Sequence, residues 1–501
     1  MKKYLLFSVA ALALTSCTED VMDDINKDNG NPSIEVIDGK LMITDAITST
    51  AYTTSSGDYS FYLSVLNEQL FGCGNNQFKE LEMRNTSETA ASATFNNTWN
   101  GTYANLLNLQ NIIDKCADGG LNSGQHDLLG MAQLLSALNW GILTDMHGDI
   151  PCSEALHGAA LKQPALDKQE VIYTKIISLI DNAIANFETA IADGESHVGA
   201  QDLLFGGDCS KWMATAYAVK ARYKLHLSFR NPSALDEAAT AAQKAIDLGF
   251  AGAEFANFTG DSNSMNPWAA FQYSRDYIGN SASLHNKMAE RNDPRCDVYF
   301  CHYDASEDGP VTYGINGNLA DAQTTYEIGA PGWLEYQANG APKGIAASVH
   351  ILSLSEVYFI LAEVKARKGT DFTADLTDAI DASLDDTRSF GNVSGTAADY
   401  VATLATRLAA NPVKEVMIQK YIAQVRDENV EAYNDIRRCK AMGETFVTFE
   451  NPRNTQQGIN YWPLRLPYGN SDVSANPNVA KAYGDGKYVF TENIWLYGGS
   501  R

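Results

Sequence analysis

The sequence has little positive charge, and it lacks long apolar runs, paired cysteine motifs and the short signatures of common enzymes. Its 37 Lys and Arg residues are outnumbered by 61 Asp and Glu residues, so the 501-residue chain carries a formal net charge of −24. Such an acidic chain repels phosphate backbones, which excludes a general nucleic-acid binder. After the first residues, no apolar run is long enough to span a bilayer as a helix.

The eight cysteines are scattered and form no Cys-x-x-Cys pair, which does not fit a zinc site or a disulfide-rich scaffold. Most are expected to be small buried side chains, although one or two bridges stay open, and Cys296 with Cys301 is the only close pair. The nucleophile-elbow, zincin, dinucleotide-binding and P-loop patterns are also absent. The sequence therefore offers no motif of a common enzyme, and no cofactor is predicted. A carboxylate pair for glycoside hydrolysis stays open, because the sequence cannot measure the separation of its many acids.

The first residues are typical of a secretory signal. Lys2 and Lys3 precede an apolar stretch that is too short to cross a membrane, and small residues follow just before Cys17. The ending Leu14 to Cys17 resembles the bacterial lipobox, and the acidic run after it resembles the export signal of Bacteroidetes surface lipoproteins. Residues 1–16 are thus predicted to be a lipoprotein signal peptide, and residues 17–40 a lipidated N-terminus and tether at the outer membrane. An ordinary cleaved signal with a chance cysteine is the alternative.

Beyond the tether, the hydrophobic periodicity is helical almost throughout. The apolar residues Ile172, Ile176, Ile180, Ile184, Phe187 and Ile191 recur at three- and four-residue steps. Further helices are predicted at about 41–56, 88–116, 126–145, 168–192, 210–229, 354–368, 398–409 and 412–438. A helix that starts at Ser233 and closes at Gly249 would pair with its predecessor, as in tetratricopeptide-like solenoids. We predict an all-α fold in which such helix pairs form the scaffold of one domain, residues 41–501.

Two long stretches, 57–84 and 251–349, are rich in Gly, Asn, Ser, Asp and aromatic residues and show little periodicity. Long loops with aromatic side chains are usually functional, so we expect the binding surface there. A sugar ring stacks its C–H face on an aromatic ring and offers hydroxyls to amides, carboxylates and Arg. The predicted ligand-binding residues are Phe71, Gln77, Phe78, Arg84, Trp268, Tyr273, Arg275, Tyr277, Trp333 and Tyr336, with Asn75 and Asn76 beside the first of them. Packing of each aromatic residue on the scaffold is the alternative.

Glycan binding is favoured because Trp268 and Trp333 are placed in loops, outside the helical patterns that would make them core residues. On this basis Trp268→Ala or Trp333→Ala is expected to weaken ligand capture and to leave the melting temperature nearly unchanged. By contrast, Trp99 and Tyr103 lie on an apolar helical face with Leu106 and are expected to be core residues.

Three further groups of polar residues are expected to be structural. The sequence Asp145-x-His147-x-Asp149 has suitable metal ligands, but it lies at a turn that ends a helix. The residues Asp24, Asn26, Asp28 and Glu35 have the spacing of a calcium loop, but Asn29 stands where Gly is wanted. The pair Arg437 and Arg438, with Asp435 and Glu431, is expected to form ion pairs on a helix surface. No metal site is predicted.

Several motifs, in order along the chain, resemble the SusD/RagB family of nutrient-binding lipoproteins. They are the segment from Ala137 to Pro151 with its Gly-Asp-x-Pro turn, the stretch from Asn26 to Pro32, the turn Arg291 to Arg295, the helix Ser355 to Glu363, the late pair Gln419 to Ala423 and Glu431 to Arg438, and Arg465 to Tyr468. Each motif alone is weak, but the ordered set runs through almost the whole chain.

This resemblance implies an all-α protein whose irregular loops bind a nutrient, most simply an oligosaccharide. It also implies a partner, a SusC-like TonB-dependent outer-membrane transporter that receives the nutrient, and no covalent chemistry. A peptide-capturing protein of the same fold is the alternative, followed by a glycoside-acting enzyme or an adhesion protein.

Overall fold

The computed structural model describes residues 33–74 and 76–501. The predicted signal peptide, Cys17, the start of the tether and the motif Asn26 to Pro32 lie outside the described residues. So do Asn75 and the first three positions of the calcium-like pattern. Lipid anchoring therefore stays a prediction.

The described residues form a mainly helical fold with six short strands. The helices are α1 Gly39–Ser49, α2 Asp58–Leu66, α3 Gln77–Glu82, α4 Thr86–Thr89, α5 Asn96–Cys116, α6 His126–His147, α7 Gln169–Asp193, α8 Cys209–His226, α9 Ala234–Asp247, α10 Pro267–Arg275, α11 Ala282–Ala289, α12 Cys296–Tyr299, α13 Leu319–Ala322, α14 Leu354–Arg367, α15 Thr373–Arg388, α16 Ala397–Thr403, α17 Ala405–Ala410, α18 Pro412–Ala423, α19 Asn429–Ala441, α20 Asn470–Ala475, α21 Pro477–Tyr483 and α22 Tyr488–Thr491. The strands are β1 Leu70–Gly72, β2 Ala253–Phe255, β3 Ile278–Asn280, β4 Val349–Leu352, β5 Thr455–Gln456 and β6 Ile459–Asn460. No helix in this part of the chain has both the length and the apolarity needed to cross a membrane.

Packed helix pairs form the scaffold, as predicted. Helix α5 packs on α6, α6 on α7, α8 on α9 and α14 on α15. Each pair buries an apolar stripe against its neighbour, which is how amphipathic helices become stable in water. The all-α prediction is confirmed.

Helix α7 illustrates why these residues form these elements. Its apolar residues Ile172, Ile176, Ile180, Ile184 and Phe187 are all buried. The helix stops at Gly194, whose φ of 69° is the left-handed conformation that favours glycine. Ile191, predicted on the same face, is instead 42% exposed in the last turn.

The two stretches predicted to be irregular contain more regular structure than expected. Helices α2 and α3 with strand β1 lie within 57–84, and helices α10 to α13 lie within 251–349. The antiparallel pair of β1 and β3, in which Phe71 lies opposite Gly279, joins the two stretches. The predicted helix 412–438 is also two helices, α18 and α19, because the chain turns between them. Short helices of one or two turns carry too little periodicity to be recognised from sequence.

Candidate functional site

A cleft of about 510 Å³ opens where three segments meet: the chain after α1, the start of α5 and one face of α10. Its volume is in the range of pockets that hold small ligands. It is lined by Tyr52, Thr53, Gly57, Asp58, Phe61, Asn97, Thr98, Gly101, Pro267, Ala270, Phe271 and Ser274. We call this feature the aromatic cleft.

The first wall of the aromatic cleft is a π-helical segment. Helix α1 continues into Thr50–Ser55 with π-type geometry, and this segment presents Tyr52 and Thr53. Tyr52 is 41% exposed, and its ring centroid lies 6.5 Å from that of Phe258. Such π-helical turns inside α-helices are frequent at functional sites.

Two glycines let the backbone segments approach one another here. A Cβ atom on Gly57 would lie 2.2 Å from the carbonyl oxygen of Thr53, and one on Gly101 would lie 2.7 Å from the Thr53 methyl group. Side chains at these positions would therefore push the π-helical segment away from α2 and α5. Glycine at both positions keeps the cleft at its present width.

One face of α10 forms the opposite wall. Pro267, Ala270, Phe271 and Ser274 follow the i, i+3, i+4, i+7 spacing of a single helix face, and all four line the cleft. The helix begins where the Asn266 side chain accepts hydrogen bonds from the backbone N–H groups of Trp268 and Ala269 at 2.9 and 3.3 Å.

The exposed edge of this wall packs against a cluster of aromatic rings. Phe271 is half-buried, and its ring centroid lies 5.0 Å from that of Phe61 and 4.9 Å from that of Phe78. Trp268 packs edge-on against Phe61 at 4.6 Å, on the side away from solvent. The buried rings therefore hold Phe271 in a fixed position at the cleft surface.

Polar side chains from α2, α5 and α10 also line the aromatic cleft. Asp58 begins α2, and its carboxylate accepts a hydrogen bond from the side chain of Asn97. Burial raises the pKa of Asp58 above its ordinary value, and the hydrogen bond from Asn97 opposes that shift. The exposed hydroxyl group of Ser274 lies on the α10 side. The arrangement offers an apolar ring face with hydrogen-bonding groups beside it.

The predicted ligand residues Phe71, Phe78 and Trp268 lie inside the protein instead of at a surface. Their exposed fractions are 0%, 0% and 1%, so their ring faces are covered by protein. The placement of Trp268 in a loop is wrong, since it lies in α10 and points away from the aromatic cleft. Segment 266–277 does contribute to the cleft, but through the helix face of Phe271 and Ser274. The i, i+3, i+4, i+7 spacing of the residues on this face is the feature of the sequence that could have identified it.

Trp333 and Tyr336 are also buried, at 3% and 8% exposure. The ring of Trp333 packs edge-on against Tyr299 at 5.5 Å. The hydroxyl group of Tyr336 donates to the carboxylate of Asp276, which ends α10 with a φ of 55°. Tyr303 donates to the same carboxylate at 2.8 Å. These residues hold the end of α10 in place, so their ring faces are not available for stacking in this structure.

Arg84 and Gln77 occupy different environments. Arg84 is 2% exposed and donates to the Asn454 side chain at 2.6 Å and to the carbonyl oxygen of Leu81 at 2.7 Å. Its guanidinium group is therefore hydrogen-bonded to the protein itself, at the ends of α2 and α3 and at Asn454. Gln77 is half-buried and donates weakly to the Tyr62 hydroxyl at 3.5 Å. Neither residue lines the aromatic cleft.

Three predicted ligand residues remain accessible at the end of α10. Tyr273 is 54% exposed, Arg275 is exposed and Tyr277 is half-buried. They adjoin Ser274 in the sequence but do not line the aromatic cleft itself. Contact with a ligand that extends beyond the cleft stays a prediction for these three residues.

The residues of the Asp145-x-His147-x-Asp149 motif bond to three different sets of partners. Asp145 accepts from the Tyr173 hydroxyl at 2.5 Å and pairs with His226 at 3.2 Å. Asp149 accepts from the backbone N–H of Gln169 at 2.9 Å. Each of these side chains therefore has its own hydrogen-bond partners within the protein, as expected for a structural turn.

His147 contributes a pH dependence that can be measured. It is fully buried, the Tyr59 hydroxyl lies 2.5 Å from its Nε2 atom, and burial lowers its pKa to about 3. The unfolded chain binds a proton on this ring below about pH 6.5, whereas the folded chain does not until the pH is much lower. Below pH 6.5 the free energy of unfolding should therefore fall by up to about 1.4 kcal/mol per pH unit from this group.

The variant His147→Gln should show a shallower pH dependence than the wild type between pH 6 and 4, as measured by urea denaturation at each pH. Other groups titrate equally in both proteins, so the difference between the two slopes isolates His147. Parallel slopes would show that the folded protein protonates this ring normally.

Two clusters of carboxylates and histidine could in principle hold a metal ion in the described part of the chain: Asp127 with Glu195 and His197, and Asp145 with His226 and Glu431. In the first, the Glu195 carboxylate accepts from the backbone N–H groups at the start of α6. In the second, burial lowers the pKa of His226, but the two carboxylates outweigh it and raise the pKa to about 9, so the imidazolium itself is paired with both of them. Both clusters have internal hydrogen-bonding roles.

The family model described as "Starch-binding associating with outer membrane" matches residues 31–468. A SusD/RagB family protein from Bacteroides thetaiotaomicron is 34% identical, with 93% of this chain and 100% of that chain covered and a TM-score of 0.81. No curated protein matches the chain.

More distant structures share the fold. A chitin-binding protein is 20% identical, with 92% of this chain and 100% of that chain covered and a TM-score of 0.70. A chitin-binding SusD homolog from Flavobacterium johnsoniae is 18% identical, with 91% of this chain and 98% of that chain covered and a TM-score of 0.67. At these identities the likeness establishes the shared architecture.

Proposed function

The chain belongs to the SusD-like family, and from this membership we propose that it captures an oligosaccharide at the cell surface without catalysis and delivers it to a partner outer-membrane transporter. The family model is described as starch-binding and associating with the outer membrane, which supports a glycan ligand and a location at that membrane. Chitin binding by two proteins of the same fold supports the same class of ligand.

The aromatic cleft is the proposed binding site, and its juxtaposition of rings and polar groups is the observation that carries the proposal. Tyr52 and Phe271 face the cleft from opposite walls, and Asp58, Asn97 and Ser274 lie between and beside them. A pyranose ring needs an aromatic surface for its C–H face and polar groups for its hydroxyl rim. Tyr273 and Arg275, exposed beside the cleft, would contact further units of a longer chain.

The partner is proposed to be a SusC-like TonB-dependent transporter, and the anchor is proposed to be a lipid on Cys17. Both follow from the family resemblance, and both can be tested in cells. Affinity purification of the protein from outer membranes should recover the transporter, and labelling with a radioactive fatty acid should be lost in Cys17→Ser. Purification without any barrel protein would contradict the delivery step while leaving glycan capture open.

We expect Tyr52→Ala to weaken oligosaccharide binding by about fivefold or more, because aromatic contacts at the centre of a site each contribute more than about 1 kcal/mol. The measurement is isothermal titration of the purified protein with maltohexaose, cellohexaose and chitohexaose. Because Tyr52 is 41% exposed, the melting temperature should change little.

The matched control is Tyr326→Ala, which removes a tyrosine that is 61% exposed outside the aromatic cleft. Its affinity should equal that of the wild type. Equal losses in both variants would mean that binding does not take place in this cleft. Binding of a mixed peptide pool instead of any hexasaccharide would favour the peptide-capturing alternative.

A further inference from the structure

The aromatic cleft contains one charged side chain, and it is an acid. Among the described residues that line the cleft, Asp58 is the only carboxylate, and none is Lys, Arg or His. Asp58 is half-buried, so its charge is less screened by water than that of an exposed acid. It lines the cleft at the start of α2 and therefore lies next to whatever occupies the cleft.

Within residues 33–74 and 76–501, no Lys, Arg or His forms an ion pair with this carboxylate. Its hydrogen-bond partner is the neutral amide of Asn97, and the neighbouring groups that sense its charge are the phenols of Tyr59 and Tyr62. Glu88, which also acts on Tyr62, adds a second negative charge nearby. Arg275 is exposed at the end of α10 but is not a lining residue. The described side chains that line the cleft therefore carry a net negative charge, which the N-termini of α2, α5 and α10 partly offset.

A negative cleft discriminates between glycans by charge. A carboxylate accepts hydrogen bonds from sugar hydroxyl or amide N–H groups, whereas a uronate or sulfate brought beside it is repelled. The whole chain adds to this repulsion, since its net charge is −24. Like charges placed together are an effective means of rejecting a wrong ligand.

We propose that Asp58 makes the aromatic cleft selective for sugars without acidic groups, such as hexose or N-acetylhexosamine units, and excludes uronate and sulfated chains. This inference rests on the proposed glycan capture. It assigns Asp58 a role in specificity as well as in affinity, because the same carboxylate accepts hydroxyl donors and rejects anions.

The test compares each neutral hexasaccharide with the same molecule oxidised at C6 to the uronate, so that the two differ only where a hydroxymethyl group becomes a carboxylate. For whichever of maltohexaose, cellohexaose or chitohexaose binds, the oxidised form should bind at least about tenfold more weakly to the wild type. Asp58→Asn keeps the size of the side chain and its hydrogen bond with Asn97. It should reduce the ratio of the neutral to the oxidised affinity at least about threefold.

The outcomes distinguish a failure of glycan capture from a failure of the selectivity inference. If no hexasaccharide binds, glycan capture is wrong, and the inference that rests on it is wrong as well. Binding of neutral and oxidised forms with equal affinity would overturn the inference while glycan capture stands. An unchanged ratio in Asp58→Asn would assign the selectivity to the overall charge and overturn the role of Asp58. If oxidised chains bind well and Arg275→Gln abolishes that binding, Arg275 beside the cleft determines specificity and the inference is also wrong.

Discussion

Trp268→Ala should destabilise the protein by about 3–5 kcal/mol, the usual effect of removing a large aromatic side chain from a core. The indole is 1% exposed and packs edge-on against Phe61, which in turn supports Phe271. Removing it leaves a cavity under the α10 wall of the aromatic cleft. Urea denaturation of both proteins would measure the loss, and a weaker affinity for oligosaccharide should accompany it.

The control for this variant lies on the same helix. Tyr273→Ala removes an aromatic ring that is 54% exposed, so the free energy of unfolding should change by less than about 1 kcal/mol. An unchanged stability in Trp268→Ala would mean that the indole is not packed. The expectation from sequence, a stacking platform whose loss spares the melting temperature, would then be correct after all.

Arg438→Met should cost about 3–5 kcal/mol, because it removes one partner from a buried ion-pair network. Arg438 is fully buried and donates to both carboxylate oxygens of Glu363 and to Asp435, each at 2.7 Å. The sequence predicted surface ion pairs for this region. That prediction is wrong because α19 is packed in the interior, where its charges must be paired.

An exposed ion pair provides the comparison for Arg438. Arg388 bonds to Asp385 on the outer face of α15, and the two side chains are 35% and 68% exposed. Arg388→Met should therefore change the free energy of unfolding by less than about 1 kcal/mol. If the two variants lose equal stability in the same denaturation experiment, the network around Arg438 does not hold α14 and α19 together.

The scaffold could be predicted from sequence because its helices are long and strongly periodic. The buried stripe of α7 and the burial of Trp99 on α5 follow directly from three- and four-residue spacing. The family could also be recognised, because its motifs fall at turns and at buried ion pairs. One such pair is Arg295 with Asp293, where both side chains are fully buried.

The site was harder to predict because its walls are short. Helix α10 has only 9 residues, too few for a clear helical period, so the sequence favours Trp268, which lies on the buried side of the helix. The face of Phe271 and Ser274 becomes visible only when the segment is known to be helical. The contribution of Tyr52 required the fold itself, since nothing local in the sequence brings the π-helical segment to α10.

The most direct test of the central claim is a crystal structure of the protein with the hexasaccharide that binds most tightly. The account predicts a sugar ring stacked on Tyr52 or Phe271, with hydroxyl groups within hydrogen-bonding distance of Asp58 or Asn97. A sugar bound elsewhere, such as at the cleft beside Trp462 that Phe446 and Phe449 also line, would contradict it. In that case the fold and the family would stand, and the aromatic cleft would not be the capture site.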